Sequence, residues 1–149
     1  MDKLFAFLQT QRLMAIATMG SVPWIANVYF GVDDAGKIYF VTNKKTKHAQ
    51  HLLENPAIAF NTAWYDPNNH QDRKAIQGTG TCRMAQTADE VQKGIELHNA
   101  YFPEFAKRIT VEWATDESHE SRVWVIEPKY IKFWNDKLYG GDEFEEFEF

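Results

Sequence analysis

The sequence predicts a mainly β (α+β) protein: a small antiparallel barrel of six or seven strands with two or three flanking helices. Three observations lead to this fold class. Short runs rich in β-branched and aromatic residues follow one another through tight turns. Gly78 and Gly80 interrupt one of these runs, which is typical of a bulged or curved sheet. The regular strand–helix alternation of a parallel sheet is absent.

The first half of the chain predicts a helix, three strands and a second helix. Apolar residues from Leu4 to Leu13 suit a short amphipathic helix. Turn signals then separate three strands that should form an antiparallel meander, over residues 13–18, 23–30 and 37–42. A second helix follows over 46–54, because Thr46 is a suitable N-cap and Pro56 lies just past its end.

The second half returns to strands. We expect strands over 57–64 and 75–84, separated by a polar, exposed loop. Thr87 and Glu90 fit a capping box that opens a helix to about Ala100. Residues 101–110 are irregular or form a short helix after Pro103. Two last strands, 122–127 and 130–134, are expected on either side of Pro128.

Length and charge restrict the function classes. A chain of 149 residues suits one domain. The formal net charge is −5, but the last ten residues carry five acids and no base, so residues 1–139 hold 16 basic and 16 acidic side chains. A nucleic-acid binder normally has a net basic surface, so we expect no nucleic-acid partner. A small anionic ligand needs only a local basic cluster.

Three features of the sequence predict the cellular location of the protein. Cys82 is the single cysteine, which favours a reducing compartment. No apolar run approaches the roughly 18 residues of a membrane span. The first residues lack the basic-then-apolar pattern of a signal peptide. A cytoplasmic protein without a membrane partner is therefore expected.

The sequence contains no self-sufficient catalytic centre. Its five histidines form no HExxH motif, and no nucleophile elbow or phosphate-binding glycine loop is present. His48 and His51 lie one helical turn apart, which allows two-ligand metal binding, although ordinary surface histidines are more common. We expect no metal site, and we expect Cys82 to be a buried strand residue.

The strongest local feature is the segment from Thr42 to His48, between a strand and a helix. It carries three lysines, and no acid occurs between Asp34 and Glu54. A helix N-terminus offers free N–H groups and the positive end of a dipole. The segment is therefore either a phosphate cradle or a solvated basic turn that caps a helix, and the pattern alone does not separate the two.

Six segments, taken in order, carry a family resemblance. The segments are residues 16–18, 23–30, 36–43, 47–56, 76–80 and 123–134. Together they resemble the FMN-binding split barrel of the pyridoxamine 5′-phosphate oxidase-like superfamily, and the short length and Trp-rich end look most like its general stress protein branch. The resemblance implies a split-barrel domain over 1–141 and leaves 142–149 as an acidic, aromatic tail.

The resemblance places an FMN site on this chain. One strand would run along the flavin, the next would end beside it, and the Ser-Arg-Lys phosphate site of the oxidases would fall on the start of the second helix. The implied residues are Ala26, Asn27, Val28 and Tyr29, then Val41, Thr42 and Asn43, then Thr46, Lys47 and His48. Lysine keeps the charge but loses the bidentate guanidinium, and histidine is only partly charged near neutral pH.

Two further residues are implied near the flavin. Arg73 falls where the oxidases place a glutamine, although it also suits a loop-edge surface residue. The family builds its site at a dimer interface, so Trp134, or Trp113, would approach the ring from the other subunit of a homodimer. Plain core packing is the alternative for either tryptophan.

The implied function is an FMN-binding flavoprotein, with flavin-dependent oxidoreductase activity on an unknown substrate and a possible role in stress. True pyridoxamine 5′-phosphate oxidase activity is not expected, because five terminal acids replace the basic segment that grips the substrate phosphate. Alternatives are a non-enzymatic flavin carrier or stress protein, or the same barrel binding a deazaflavin or haem, with His48, His51 or His98 as iron ligand.

The tail has two interpretations. Its acids alternate with Phe144, Phe147 and Phe149, as in a docking strand or lid packed on a partner. The alternative is a frayed, solvated terminus, which is the common state of chain ends.

Overall fold

The computed structural model describes all 149 residues, Met1–Phe149. Seven strands and five helices follow one another along the chain, with one 3-10 turn at Pro103–Phe105. Their bounds are α1 Asp2–Thr10, β1 Leu13–Met19, β2 Pro23–Val32, β3 Ile38–Asn43, α2 Lys47–Glu54, β4 Ala57–Trp64, β5 Lys74–Met84, α3 Ala88–Tyr101, α4 Val111–Thr115, β6 Ser121–Asn135, α5 Asp136–Tyr139 and β7 Phe144–Glu148.

Six strands close into an antiparallel barrel. The order is β3-β2-β1-β4-β5-β6, and β3 also pairs with β6 to close the ring. Each neighbouring pair is antiparallel. The predicted mainly β fold, with its antiparallel barrel and flanking helices, is therefore confirmed.

Strand β6 is one long strand, so the prediction of two strands around Pro128 is wrong. It pairs with β5 from Trp124 to Asn135, while β3 pairs with its first half and β7 with its second half. The register shifts at one point, where Thr79 faces Tyr130 and Gly80 faces Pro128. A Cβ on Gly80 would lie 2.3 Å from the carbonyl oxygen of Glu127, so this bulge requires glycine.

The barrel interior is the main core. Trp124, Phe133 and Ile131 of β6 are fully buried in it, and α1 covers one end with Leu4 and Leu8. A smaller core lies outside the barrel, where α3 and α4 pack on β3 and β6. Helix α3 approaches β6 closely, because a Cβ on Gly94 would lie 2.4 Å from Val123.

The three longer helices confirm the predicted ones, and Thr46 caps α2 as expected. The short helices α4 and α5 were not predicted, since five and four residues carry little periodicity. The predicted capping box is only half present. Thr87 accepts from the N–H of Glu90, but the Glu90 carboxylate instead accepts from Arg83 and from the N–H of Gln86.

The tail is not frayed. Strand β7 pairs with Tyr130–Trp134 of β6, and Phe147 is buried in the core of its own chain. The expectation that Phe147 packs on a partner is therefore wrong, whereas Phe144 and Phe149 remain exposed. Separately, none of the helices has both the length and the apolar character needed to cross a membrane.

Glu90 ties α3 to the barrel and generates a stability prediction. Hydrogen bonds from Arg83 lower the pKa of Glu90 from 4.5 to about 2. Its stabilising contribution is complete above pH 4.5 and is lost as the pH falls towards 2. Glu90→Gln should lower the free energy of unfolding at pH 7 by about 2 kcal/mol in urea titrations. The exposed Glu96→Gln is the control, and equal stability of both variants with the wild type would contradict the assignment.

Candidate functional site

Strands β2 and β3 diverge, and this divergence creates an open strand edge. They pair only where Phe30–Val32 faces Ile38–Phe40. Beyond that point Val41–Asn43 pairs with β6, and Pro23–Tyr29 pairs only with β1. The N–H of Phe30 donates towards β1. Strand alternation therefore directs the N–H and C=O groups of Asn27 and Tyr29 to the unpaired edge.

Helix α2 begins next to this edge. The Lys47 ammonium lies 4.3 Å from the centre of the Trp24 ring, which belongs to β2. The first N–H groups of a helix have no partner inside it. Thr46 Oγ1 accepts the one from Ala49, which leaves those of Lys47 and His48. The edge of β2 is thus flanked by one cation and by a helix N-terminus.

The three lysines of this segment are not equivalent. Lys44 Nζ lies 3.2 Å from Glu120, and Lys45 Nζ lies 3.6 Å from the same carboxylate. Lys47 makes no ion pair, although its ammonium contacts Trp24. Glu120 reaches this place from the residue before β6, and it cancels much of the local positive charge. Lys47 therefore remains as the available cation of the predicted cradle.

His48 points inward and is buried. Its Nε2 lies 2.8 Å from Thr42 Oγ1 and 3.1 Å from Thr46 Oγ1. Burial, together with the neighbouring His51, lowers the pKa of His48 from its ordinary value of 6.5. The ring is thus neutral near pH 7 and bonded to two hydroxyls, so it supplies no charge to a phosphate.

His51 has a separate partner. Its Nδ1 lies 3.1 Å from the hydroxyl of the buried Thr18, and its Nε2 makes no hydrogen bond within the chain. No group of three or more histidine, cysteine and acidic side chains is placed to hold a metal ion. The two helical histidines therefore brace α2 against β1 and β3.

The other predicted residues of β2 and β3 line the divergence in different ways. Val28 is buried in the core, so only its backbone is available, whereas Asn27 and Tyr29 are exposed. Ala26 is half-buried against the core. The ring of Tyr29 packs 4.8 Å from that of Phe102, at the end of α3.

The end of β3 is held by the polypeptide itself. Val41 packs on the smaller core, and Asn43 Oδ1 accepts from the N–H of Lys45. The hydroxyl of Thr46 donates to the carbonyl of Asn43, besides capping α2. Two of the predicted polar side chains are therefore already engaged in shaping the turn.

Arg73 and Trp134 lie far along the barrel from these residues. Arg73 is ion-paired with Asp136 at 2.9 Å and with Asp142 at 3.1 Å. Trp134 packs on Phe144 at 5.3 Å, and Lys132 lies above its ring. Thr42 and Asn43 pair with the start of β6, whereas Trp134 stands near its end. A single chain therefore does not bring Arg73 and Trp134 close to the end of β3. Arg73 lines a cleft with His70, Gln71, Asp136 and Gly141.

The sequence analysis did not predict two residues of this region. Trp24 lies under Lys47 and is 43% exposed, and a large aromatic residue in a polar-flanked strand was the available signal. Glu120 carried no signal, because its contact with Lys44 joins residues distant in sequence.

The outer face of β1 and β2 is unusually apolar. Ile25 is 68% exposed, Tyr29 57% and Leu13 51%. The adjacent outward positions of β1 and β4 are largely alanine, which makes this face flat. Exposed Asn27 lies between Ile25 and Tyr29 on this face, but large exposed apolar side chains gathered on a sheet are typical of a protein interface.

Comparisons with known proteins give one family and a common fold. The family model described as pyridoxamine 5′-phosphate oxidase matches residues 1–135. A search of curated proteins gives no match.

Solved structures share the fold at low identity. A haem-binding protein from Mycobacterium smegmatis has a TM-score of 0.75 and 13% identity, covering 97% of this chain and 56% of that one, so this chain spans little over half of it. A NimC/NimA family protein from Clostridium acetobutylicum has a TM-score of 0.68 and 19% identity, and the match covers 100% of this chain and 92% of that one. HutZ, a haem storage protein from Vibrio cholerae, has a TM-score of 0.64 and 14% identity, and the match covers 99% of this chain and 92% of that one.

The burial of His48 generates a titration prediction. Its imidazole should titrate below pH 6.5 in NMR spectra, and His51→Gln should raise that pKa, because a neighbouring charge is removed. Because the pKa of His48 is lower in the folded chain, the unfolded chain binds a proton more readily. The free energy of unfolding should therefore fall as the pH drops below 6.5. The exposed His70→Gln is the control. Titration of His48 at or above 6.5 would refute the buried, neutral ring.

Proposed function

The chain belongs to the pyridoxamine 5′-phosphate oxidase family, and we propose that it is a homodimeric FMN-binding protein with flavin-dependent oxidoreductase activity. Bound flavin would supply hydride or electron transfer, which fits a chain without its own acid–base centre. One observation carries the proposal: the open edge of β2 lies beside the N-terminus of α2 and its free cation, Lys47.

The phosphate end of the site rests on few groups. Lys47 offers its ammonium, and the first turn of α2 offers the N–H groups of Lys47 and His48. The hydroxyls of Thr42 and Thr46 and the ring of His48 are bonded to one another. These residues fit a single phosphate, bound by one charge and two backbone donors.

The ring end of the site relies on backbone groups. The unpaired N–H and C=O groups of Asn27 and Tyr29 can bond to the polar edge of a planar ligand. Trp24 lies at one end of this edge, next to α2, and Tyr29 lies at the other end, next to the end of α3. Ala26 and Val28 would contribute through the main chain.

A second copy of the chain would complete the site. The exposed apolar face of β1 and β2 supports a dimer interface. Arg73, just before β5, and Trp134, near the end of β6, lie far from the α2 end of the same chain's β2 edge, so we assign them to the partner's site. The acidic strand β7 beside Trp134 disfavours a phosphorylated substrate there, and with it true pyridoxamine 5′-phosphate oxidase activity.

Haem is the second candidate cofactor. Two structural neighbours are described as haem-binding or haem storage proteins. His51 and His98 each have Nδ1 engaged, by Thr18 and by Asn99, and Nε2 without a partner, although His51 Nε2 lies close to Gly20. His48 is a poor ligand, since its Nε2 lies between two hydroxyls. The ring of His98 packs on Phe102.

The cofactor proposal is tested by the visible spectrum of the purified protein and by FMN titration. We expect a flavin spectrum with maxima near those of free FMN, and quenching of FMN fluorescence on binding.

Lys47→Met should weaken FMN binding about tenfold, since a charge-assisted contact is lost. Lys45→Met should have little effect, because Glu120 already pairs with Lys45. A Soret band indicates haem. A protein that is colourless as purified and binds neither added FMN nor added haemin refutes both cofactors. Reduction of the bound flavin by NADH or NADPH separates an enzyme from a carrier.

The dimer proposal is tested by light scattering. Ile25→Arg places a charge on the apolar face and should yield monomers that bind FMN more weakly, because the partner's contribution is lost. Tyr65→Arg is the matched control, since both side chains are 68% exposed but Tyr65 lies in a loop. A monomeric wild type with FMN bound would contradict the shared site.

A further inference from the structure

A cleft of about 440 Å³ opens at the end of the barrel that α1 covers. Its floor is apolar and consists of Ala6 and Phe7 of α1 together with Leu138 of α5. Thr10 also lines it, but its hydroxyl donates to the carbonyl of Phe7. The cleft lies at the end of β6, whereas the predicted phosphate cradle lies at its start. It is therefore separate from the proposed flavin site.

Three lysines from three different elements surround this cleft. Lys3 belongs to α1, Lys74 to β5 and Lys137 to α5. Aromatic rings fix two of them, because Lys74 Nζ lies 4.3 Å from the centre of Trp64 and Lys3 Nζ lies 5.8 Å from that of Tyr139. The amino groups are thus held near the rim.

The lysines exceed the acids around them. The buried Asp72 pairs through one oxygen with Lys137 at 2.8 Å and with Lys74 at 3.4 Å. Asp136, next to Lys137 in sequence, is engaged by Arg73. Asp72 does not line the cleft. Two of the three ammonium groups thus share one carboxylate, and Lys3 makes no ion pair, so the lining has a net positive charge.

Asn135 supplies a neutral hydrogen-bond donor to the cleft. It is only 7% exposed, and it lines the cleft. Its Oδ1 accepts from the N–H of Leu138 and caps α5, which fixes the orientation of the amide. Its Nδ2 donates no hydrogen bond within the chain, although it is not sealed from the cleft. This N–H group is therefore open to the cleft, where an acceptor on a ligand can replace the water that otherwise bonds to it.

We propose that this cleft binds a small organic carboxylate. The apolar part of the molecule would lie on Ala6, Phe7 and Leu138. The carboxylate would accept from Asn135 Nδ2 and face the ammonium groups of Lys3 and Lys137. A single negative charge on an apolar body matches a site with an apolar floor and a cationic rim, whereas inorganic phosphate would leave the floor uncovered.

The test uses 4-phenylbutyrate as the probe and its neutral amide, 4-phenylbutyramide, as the matched control. We expect the acid to bind the full chain at least about tenfold more tightly than the amide in calorimetry, since only the acid makes charge-assisted bonds. In NMR spectra, the backbone signals of Ala6, Phe7 and Leu138 should shift. Saturation with FMN should leave the affinity for the acid unchanged.

Variants locate the binding groups. Asn135→Asp keeps an oxygen to cap α5 but replaces the donor by a negative charge, so affinity for the acid should fall about tenfold or more. Lys3→Gln should weaken binding several-fold without touching the cap, and it serves if the first variant fails to fold by circular dichroism. Lys107→Gln, on the exposed surface, is the control.

Three results would overturn the proposal. The first is equal affinity for the acid and the amide. The second is displacement of the acid by inorganic phosphate at similar concentrations, since phosphate lacks an apolar body. The third is unchanged affinity in both Lys3→Gln and folded Asn135→Asp.

Discussion

The structure depends on the pairing of one strand, β6, with three others. β5 pairs with it from Trp124 to Asn135, and β3 and β7 share its opposite edge in succession. β3 pairs with β6 along its whole length and closes the barrel, whereas it pairs with β2 only from Ile38 to Phe40. Beyond Phe40, β3 therefore stays on β6 while β2 stays on β1, and the facing edge of β2 is left open. The candidate site exists because the barrel is split at this point.

Ion pairing determines which of the three lysines at that opening is available to a ligand. Glu120 stands just before β6 and is brought beside Lys44 and Lys45 when β6 pairs with β3. Lys47 lies one residue further into α2 than the capping Thr46 and escapes this carboxylate, resting instead over Trp24. The residue that leads into β6 thus reduces the positive charge of the site to one well-placed ammonium group and a helix N-terminus.

Most elements were predictable because their signals are local. The bounds of β4 and the N-cap of α2 follow from strand formers, Thr46 and Pro56. The break expected at Pro128 was wrong because a proline in a strand normally ends it, whereas here a bulge opposite Gly80 accommodates it. The site was less predictable, since the burial of His48 and the pairing of Lys44 with Glu120 depend on contacts between residues distant in sequence. The placement of Arg73 and Trp134 beside a flavin stays a prediction.

The most direct test of this account is amide hydrogen exchange along β2. Without cofactor, the amides of Asn27 and Tyr29 should exchange faster than those of Ala26 and Val28, because only the latter pair with β1. Saturation with FMN should slow Asn27 and Tyr29 selectively. Equally slow exchange at all four positions before FMN is added, or no change on its addition, would contradict an open strand edge that receives the cofactor.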